Sequence, residues 1–254
     1  KRLRRYVGIT TGVRYKFLVG PAKSATYIDL FCGSGRAKIK DTNKWIDGSP
    51  IAAWKASQES GRPFSQVLIA DADEGKRDVA FTRLSKLGAP VEIVPGPAIE
   101  AASRLTGLLS PYGYHFAFID PFSLGALNFE IVRSLAAFKR MDMMIHISKM
   151  DHQRNLLRNL DTATNEDGTA YDSFVPGWRD HIDLDQPQIA VRRQIIEYWR
   201  NLVVKTGTES TTSWDLITGS RNQPLYWLLL VARHELAQSF WTASSPKKQG
   251  DLDL

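Results

Sequence analysis

The sequence predicts an α/β fold: a Rossmann-like, doubly wound and mostly parallel sheet of seven strands, ending in a C-terminal antiparallel hairpin. Three observations predict it. Short apolar runs rich in β-branched and aromatic residues alternate with stretches of helical periodicity. The first of those runs opens into a glycine-rich loop, Cys32-Gly33-Ser34-Gly35. Two later runs end in the acidic residues Asp71 and Asp120. Strands buried on both faces read as continuous apolar runs, which is the form seen here.

The first predicted strand spans residues 27–31 and leads into the glycine loop. A long loop containing Trp45 follows, and Gly48-Ser49-Pro50 starts a helix running towards Gly61, with Ser49 as N-cap and Pro50 at the first helical position. A second strand over 67–70 ends at Asp71, Asp73 caps the next helix, and Gly88 stops it. Strands over 91–94, 114–119 and 143–147 alternate with helices over 98–109 and 129–138. Beyond Asp151 the rhythm breaks: 161–168 is a polar loop and 171–188 lacks a clear period. Helical spacing returns over 189–204 through Val191, Ile195, Tyr198 and Leu202. Two strands over 214–218 and 225–232, joined by a Gly- and Pro-containing turn, form the hairpin. A short helix begins near His234. The chain is read as a single domain over 1–254, with a basic segment over 1–25, an irregular insertion over about 160–188 and a polar tail over 243–254.

Composition narrows the setting. The longest apolar run, 225–232, is too short to cross a bilayer as a helix, and no apolar stretch follows the basic start as a secretion signal would require. A single cysteine, Cys32, rules out an intrachain disulfide framework and fits a reducing interior, so a cytoplasmic setting is expected. The net charge of +6 and a pI near 9.4 fit an anionic partner, with nucleic acid the leading class, although a basic run such as Lys1–Arg5 is commonly a solvated tail.

In an open parallel sheet, ligands bind beyond the carboxyl ends of the strands, where strand order reverses. Asp29, Phe31, Gly33, Ser34 and Gly35 cluster at one such end, and glycines there let backbone approach a ligand closely. Asp71 closes the second strand, where a carboxylate can accept both hydroxyls of a ribose. Asp120-Pro121-Phe122 closes the fourth: a carboxylate that accepts from an amino group, a proline that fixes the turn, and an aromatic that stacks on a planar base. Trp45, His152 and Arg154, with Arg158, are weaker candidates for contacting substrate. His146, inside an apolar strand, is read as a core histidine, and Cys32 as a small loop filler. No His, Cys or Asp spacing suggests a metal.

The run Tyr27 to Gly35 resembles the S-adenosylmethionine motif of class I methyltransferases. Together with Gly48-Ser49-Pro50, with Phe118 to Phe122, and with the closing Leu225-Tyr226-Trp227-Leu228 and Ala232-Arg233-His234, the pattern is similar to the three-Cys-motif partner family, TcmP. The resemblance implies S-adenosyl-L-methionine as cofactor, with Asp29 and the glycine loop around its methionine and sugar and Asp71 on the ribose. It places Asp120, Pro121 and Phe122 at the D-P-P-[YF] element of methyltransferases acting on amino groups of nucleobases. The second proline of that element is missing, and Gly96-Pro97 stands where many such enzymes carry an acid for the adenine. Two functions follow: an amino-group methyltransferase on nucleic acid or a translation component, or a catalytically silent partner of a three-Cys-motif protein.

Overall fold

Every residue of Ala25–Asp29, strand β1, is buried. It pairs in parallel with β4 (Gln66–Ile69) on one side and β6 (Tyr114–Ile119) on the other. These runs are mostly apolar on both faces because helices cover both. The computed structural model describes residues 1–254 except 22, 40–41, 155, 157–159, 161–168, 213, 220–221 and 246–254.

The chain winds outward twice from β1. It first adds β4 and then β5 (Val91–Ile93), by way of α3 (Ser49–Glu59) and α4 (Glu74–Lys86). It then crosses back through α5 (Ala98–Arg104) to β6, and α6 (Phe129–Ala136) leads on to β7 (Met141–Ile147). β10 (Pro224–Ala232) runs antiparallel to β7, and its outer edge carries β8 (Glu209–Ser210) and β9 (Asp215–Thr218). Among the described residues the sheet thus has eight strands, in the order β5-β4-β1-β6-β7-β10-β8 with β9 also on β10. The expected architecture holds, with β8 added to the seven expected strands. The direction of winding reverses between β1 and β6, which opens a crevice at their carboxyl ends.

Strand alternation divides the core in two. Ile28, Leu68, Ala117, Met143 and Ile145 face α5, α6 and the long helix α9 (Gln188–Lys205). Tyr27, Val67, Phe116, Phe118 and Met144 face α3, α4, α1 (Arg2–Ile9) and the C-terminal helix α10 (Glu235–Ser244). α7 (Lys149–Arg154) follows β7, and α8 (Ala170–Phe174) opens the irregular region. In that region Tyr171, Phe174, Val175, Trp178 and Ile182 all pack into the core, so apolar anchors fix it without a helical period. The polar stretch 161–168 and the end of the tail lie outside the described residues.

Four expectations are corrected. The basic start is not a solvated tail: it forms α1 and α2 (Thr11–Val19). Arg2 is buried, donating to the Trp241 carbonyl at 2.7 Å, pairing with Asp215 and lying 3.8 Å over the Trp241 ring. Arg14, fully buried, donates to the carbonyls of Val7 and Arg62 and to the Ser60 hydroxyl. A guanidinium with that many carbonyl partners can leave water, which charge counting alone does not reveal. The second correction concerns the loop after Gly35, which contains a small ribbon of β2 (Arg36–Lys38) and β3 (Trp45–Asp47). Third, the N-cap of α3 is Gly48, while the Ser49 hydroxyl donates to Asp29 instead. Fourth, β1 ends at Asp29 rather than Phe31, because the chain turns early into the glycine loop.

Candidate active site

At the end of β1 the chain turns through Gly33 (φ +52°) and Gly35 (φ +73°), the left-handed region where side chains are disfavoured. A Cβ on Gly33 would meet nothing within 4 Å, so that flank of the backbone is open to a ligand. Two braces hold the loop. The Gly33 N–H donates to one Asp71 oxygen at 2.8 Å, while the other oxygen accepts from the Asp73 N–H at 2.9 Å. The Gly48 N–H donates to the Gly35 carbonyl at 2.8 Å. Asp71 thereby ties the end of β4 to the loop after β1, and Asp73 caps α4 by accepting from Lys76 N–H, as its position predicts.

Gly33, Asp71 and Asp120, from three different strand ends, line one hollow of about 520 Å³. Phe31, Phe122 and Asn128 complete its polar and aromatic wall, over an apolar floor including Ala98 and Ile131. Phe122 is 89% exposed, a free ring at the rim, and Pro121 behind it is buried. This is the convergence that the order of motifs along the chain implies.

The remaining candidates lie elsewhere. Asp29 has no exposed surface and sits beneath the loop, accepting from the Tyr27 hydroxyl at 2.9 Å and the Phe31 N–H at 3.3 Å. Burial pushes its carboxyl up to about 7, against the pull of the Ser49 and Tyr27 hydroxyls. It supports the loop rather than facing the hollow. The Ser34 hydroxyl turns to the Arg36 carbonyl, and Gly35 packs on Ile51. Trp45 is exposed on the β2–β3 ribbon and lines neither this hollow nor its neighbour. His152, expected as a substrate contact, is corrected to a core residue: it is buried, with Tyr171 hydroxyl on Nδ1 at 2.9 Å and Arg192 carbonyl at Nε2. Burial holds its pKa down at about 4. Arg154 closes α7, its side chain outside the described residues, as is Arg158. Burial pushes the Cys32 thiol well up, consistent with a filler.

His146 is the reverse correction. Expected in the core, it lies at the carboxyl end of β7 with its Nδ1 hydrogen-bonded to Asp120, and its ring meets Tyr226 at 4.0 Å between centroids. The register explains this: Phe118 on β6 pairs with Met144 on β7, so Asp120 and His146, each two residues on, emerge side by side on one face. His146 and Tyr226 line a second hollow of about 510 Å³ that shares Asp120 with the first. His146 is placed by the register of β7 with β6, and nothing local points to it or to Tyr226. A third hollow, about 280 Å³, lies at the amino-terminal ends of β6 and β7 beside Tyr114 and Met141, the pole where parallel sheets seldom bind ligands.

No protein-family model matches the chain, and no curated protein does. Solved structures do resemble it. Protein LPL1258 from Legionella pneumophila is 11% identical, covering 95% of this chain and 90% of that one with a TM-score of 0.50. A human methyltransferase 10 domain containing protein is 11% identical over 91% and 83% of the two chains, at a TM-score of 0.46. The methyltransferase domain of bacterial CtHen1 is 13% identical over 92% and 100%, at 0.44. At such identities the likeness concerns fold alone. The shared fold is the Rossmann-like, mostly parallel sheet between helical layers described above.

Proposed function

We propose that the chain is an S-adenosylmethionine-dependent methyltransferase acting on an amino group, in nucleic acid or in a component of translation. The supporting observation is the meeting of Gly33, Asp71 and Asp120 around a single hollow, in the order in which the motifs occur along the chain. The residues present fit such a cofactor. The volume lies within the range of roughly 300–1,000 Å³ usual for small-molecule sites. The open flank of Gly33 admits a ligand against backbone. Each Asp71 oxygen takes one backbone N–H and keeps a lone pair for a ribose hydroxyl. Phe122 presents a ring for stacking.

The cofactor supplies an activated methyl group. The protein's part is positioning: the glycine loop and Asp71 hold the sugar, while Asp120, on the border of the two hollows, accepts from the acceptor N–H and aims its lone pair. Fixing two reactants in this way is worth on the order of 7–11 kcal/mol in favourable cases.

Titration calorimetry tests the reading. S-adenosylmethionine gives a saturable heat with the native chain, and Asp71→Ala weakens binding at least tenfold; absence of any heat ends the proposal. With radiolabelled methyl donor and cellular RNA or ribosomal fractions as acceptors, Asp120→Ala transfers far more slowly than wild type. The second reading, a silent partner of a three-Cys-motif protein, is favoured by the missing second proline. A chain that binds the cofactor yet labels none of these fractions supports it.

A further inference from the structure

The second hollow lies between α1 and the strands β6, β7, β9 and β10. Its wall combines three kinds of group: the cations Arg2 and Arg5, the acceptors Asp120 and Asp215, and the paired rings of His146 and Tyr226. Phe118 and Leu228 add apolar surface. We propose that this hollow is the acceptor pocket and receives one nucleotide of a single-stranded nucleic acid, the base against Tyr226 and the Asp120–His146 pair and the phosphate towards Arg5. The inference rests on the methyltransferase reading for the role of the neighbouring hollow.

Charge selects the class of acceptor. Arg2 is committed to Asp215 and to the Trp241 carbonyl and ring. Arg4 pairs with Glu59. Arg5 is exposed at the mouth, and among the described residues no carboxylate lies within ion-pair distance of it. A cation left unpaired beside a pocket attracts phosphate, the contact that positions nucleic acids. The same cations repel the ammonium of a lysine or of a protein amino terminus, so a protein amine is the poorer fit. Within the hollow, a planar heterocycle bearing an amino group finds aromatic surface and the Asp120 carboxylate together. Burial raises the Tyr226 phenol, so it remains a neutral ring and hydroxyl. His146 donates from Nδ1 to Asp120 and holds that carboxylate towards the boundary with the first hollow. A paired, stacked base would have to leave its duplex to enter, so single strands are preferred.

Fluorescence anisotropy with the full chain and a fluorescein-labelled single-stranded RNA of twelve mixed nucleotides tests this, with cofactor heat measured on every variant. Tyr226→Ala weakens RNA binding about tenfold or more, the size of a lost base–aromatic stack, whereas Tyr226→Phe stays within about twofold because the ring is kept. Arg5→Ala weakens binding severalfold and reduces the salt slope by about 0.7, one phosphate contact on a single strand. Arg62→Ala, on a different face beside Tyr15, changes neither. The same sequence as a duplex binds more weakly. All variants keep the cofactor heat of wild type, which also shows that they are folded. The proposal is overturned if wild type does not bind the RNA, if Tyr226→Ala binds it as tightly as wild type, if Arg62→Ala costs as much as Arg5→Ala, or if the duplex binds as well. Failure of the cofactor heat in wild type instead counts against the methyltransferase reading, so the two failures are separable.

Discussion

Asp29 carries no exposed surface, and its carboxyl is pushed up to about 7 by burial. An unfolded aspartate titrates near 3.9, so between roughly pH 4 and 7 the folded chain holds a proton that the unfolded chain has lost. The stability this group contributes is full below about pH 4 and disappears as pH rises through 7. Asp142, raised to about 6 mainly by burial, acts with the same sign. His152, lowered to about 4, acts with the opposite sign between about pH 4 and its unfolded value near 6.5. Asp29→Asn therefore loses less melting temperature between pH 6.5 and 8 than wild type does, as measured by calorimetric scans. Parallel curves for the two proteins would contradict this account. Gly48 makes a different demand. A Cβ there would stand 2.8 Å from the Gly35 carbonyl carbon, which is backbone and cannot swing aside. Gly48→Ala costs about 2 kcal/mol, the scale of core overpacking, and, on the methyltransferase reading proposed above, weakens cofactor binding because the same contact braces the loop. Urea midpoints and calorimetry check the two halves of that expectation.

At the scale of elements, the N-terminal helices are structural members of the fold. α1 packs on α3 and α10, and Arg14 of α2 bonds to the carbonyls of Val7 and Arg62 and to the Ser60 hydroxyl, fastening α1, α2 and the end of α3 together. Arg14→Ala strands these buried acceptors, and a loss of about 3 kcal/mol or more is expected, since one bond to a charged group is worth about 1.5–3. A change in the urea midpoint too small for even one such bond would show that water replaces the guanidinium without penalty. This element was misread from sequence for a clear reason: Lys1, Arg2, Arg4 and Arg5 together look solvent-seeking, and the partners that bury Arg2, namely Trp241 and Asp215, lie more than 200 residues away. The strand–helix alternation was legible because its signal is local. β6 and β7 are mostly apolar runs, and Asp73 caps α4 from within its own turn.

Across the whole molecule, stability follows position in the sheet. β1, β6, β7 and the second half of β10 are buried between two helical layers, whereas β5 and β9 lie at the margins and are only partly covered. Native-state hydrogen exchange is therefore slowest in β1, β6 and β7 and fastest in β5 and β9. Slowest exchange in β9 would disprove this ordering. The site inherits the arrangement: its acids stand on the rigid central strands, while the Phe122 ring stands free at the rim.

By itself the sequence determined the alternation of strands and helices, the glycine loop, and the acidic ends of the second and fourth predicted strands. Each of these is written in a short window, by periodicity, by a positive φ or by a cap. Only the tertiary structure decided which acids line the hollow. Asp29, two residues from the loop, is sealed under it, while Asp71 reaches across to it. It also exchanged the roles expected of two histidines, burying His152 against Tyr171 and bringing His146 out beside Asp120 and Tyr226. Burial and pairing are set by neighbours outside any local window, here by the registers of β6 with β7 (Phe118 opposite Met144) and of β7 with β10 (Ile147 opposite Trp227), and no local pattern encodes a register between separate strands.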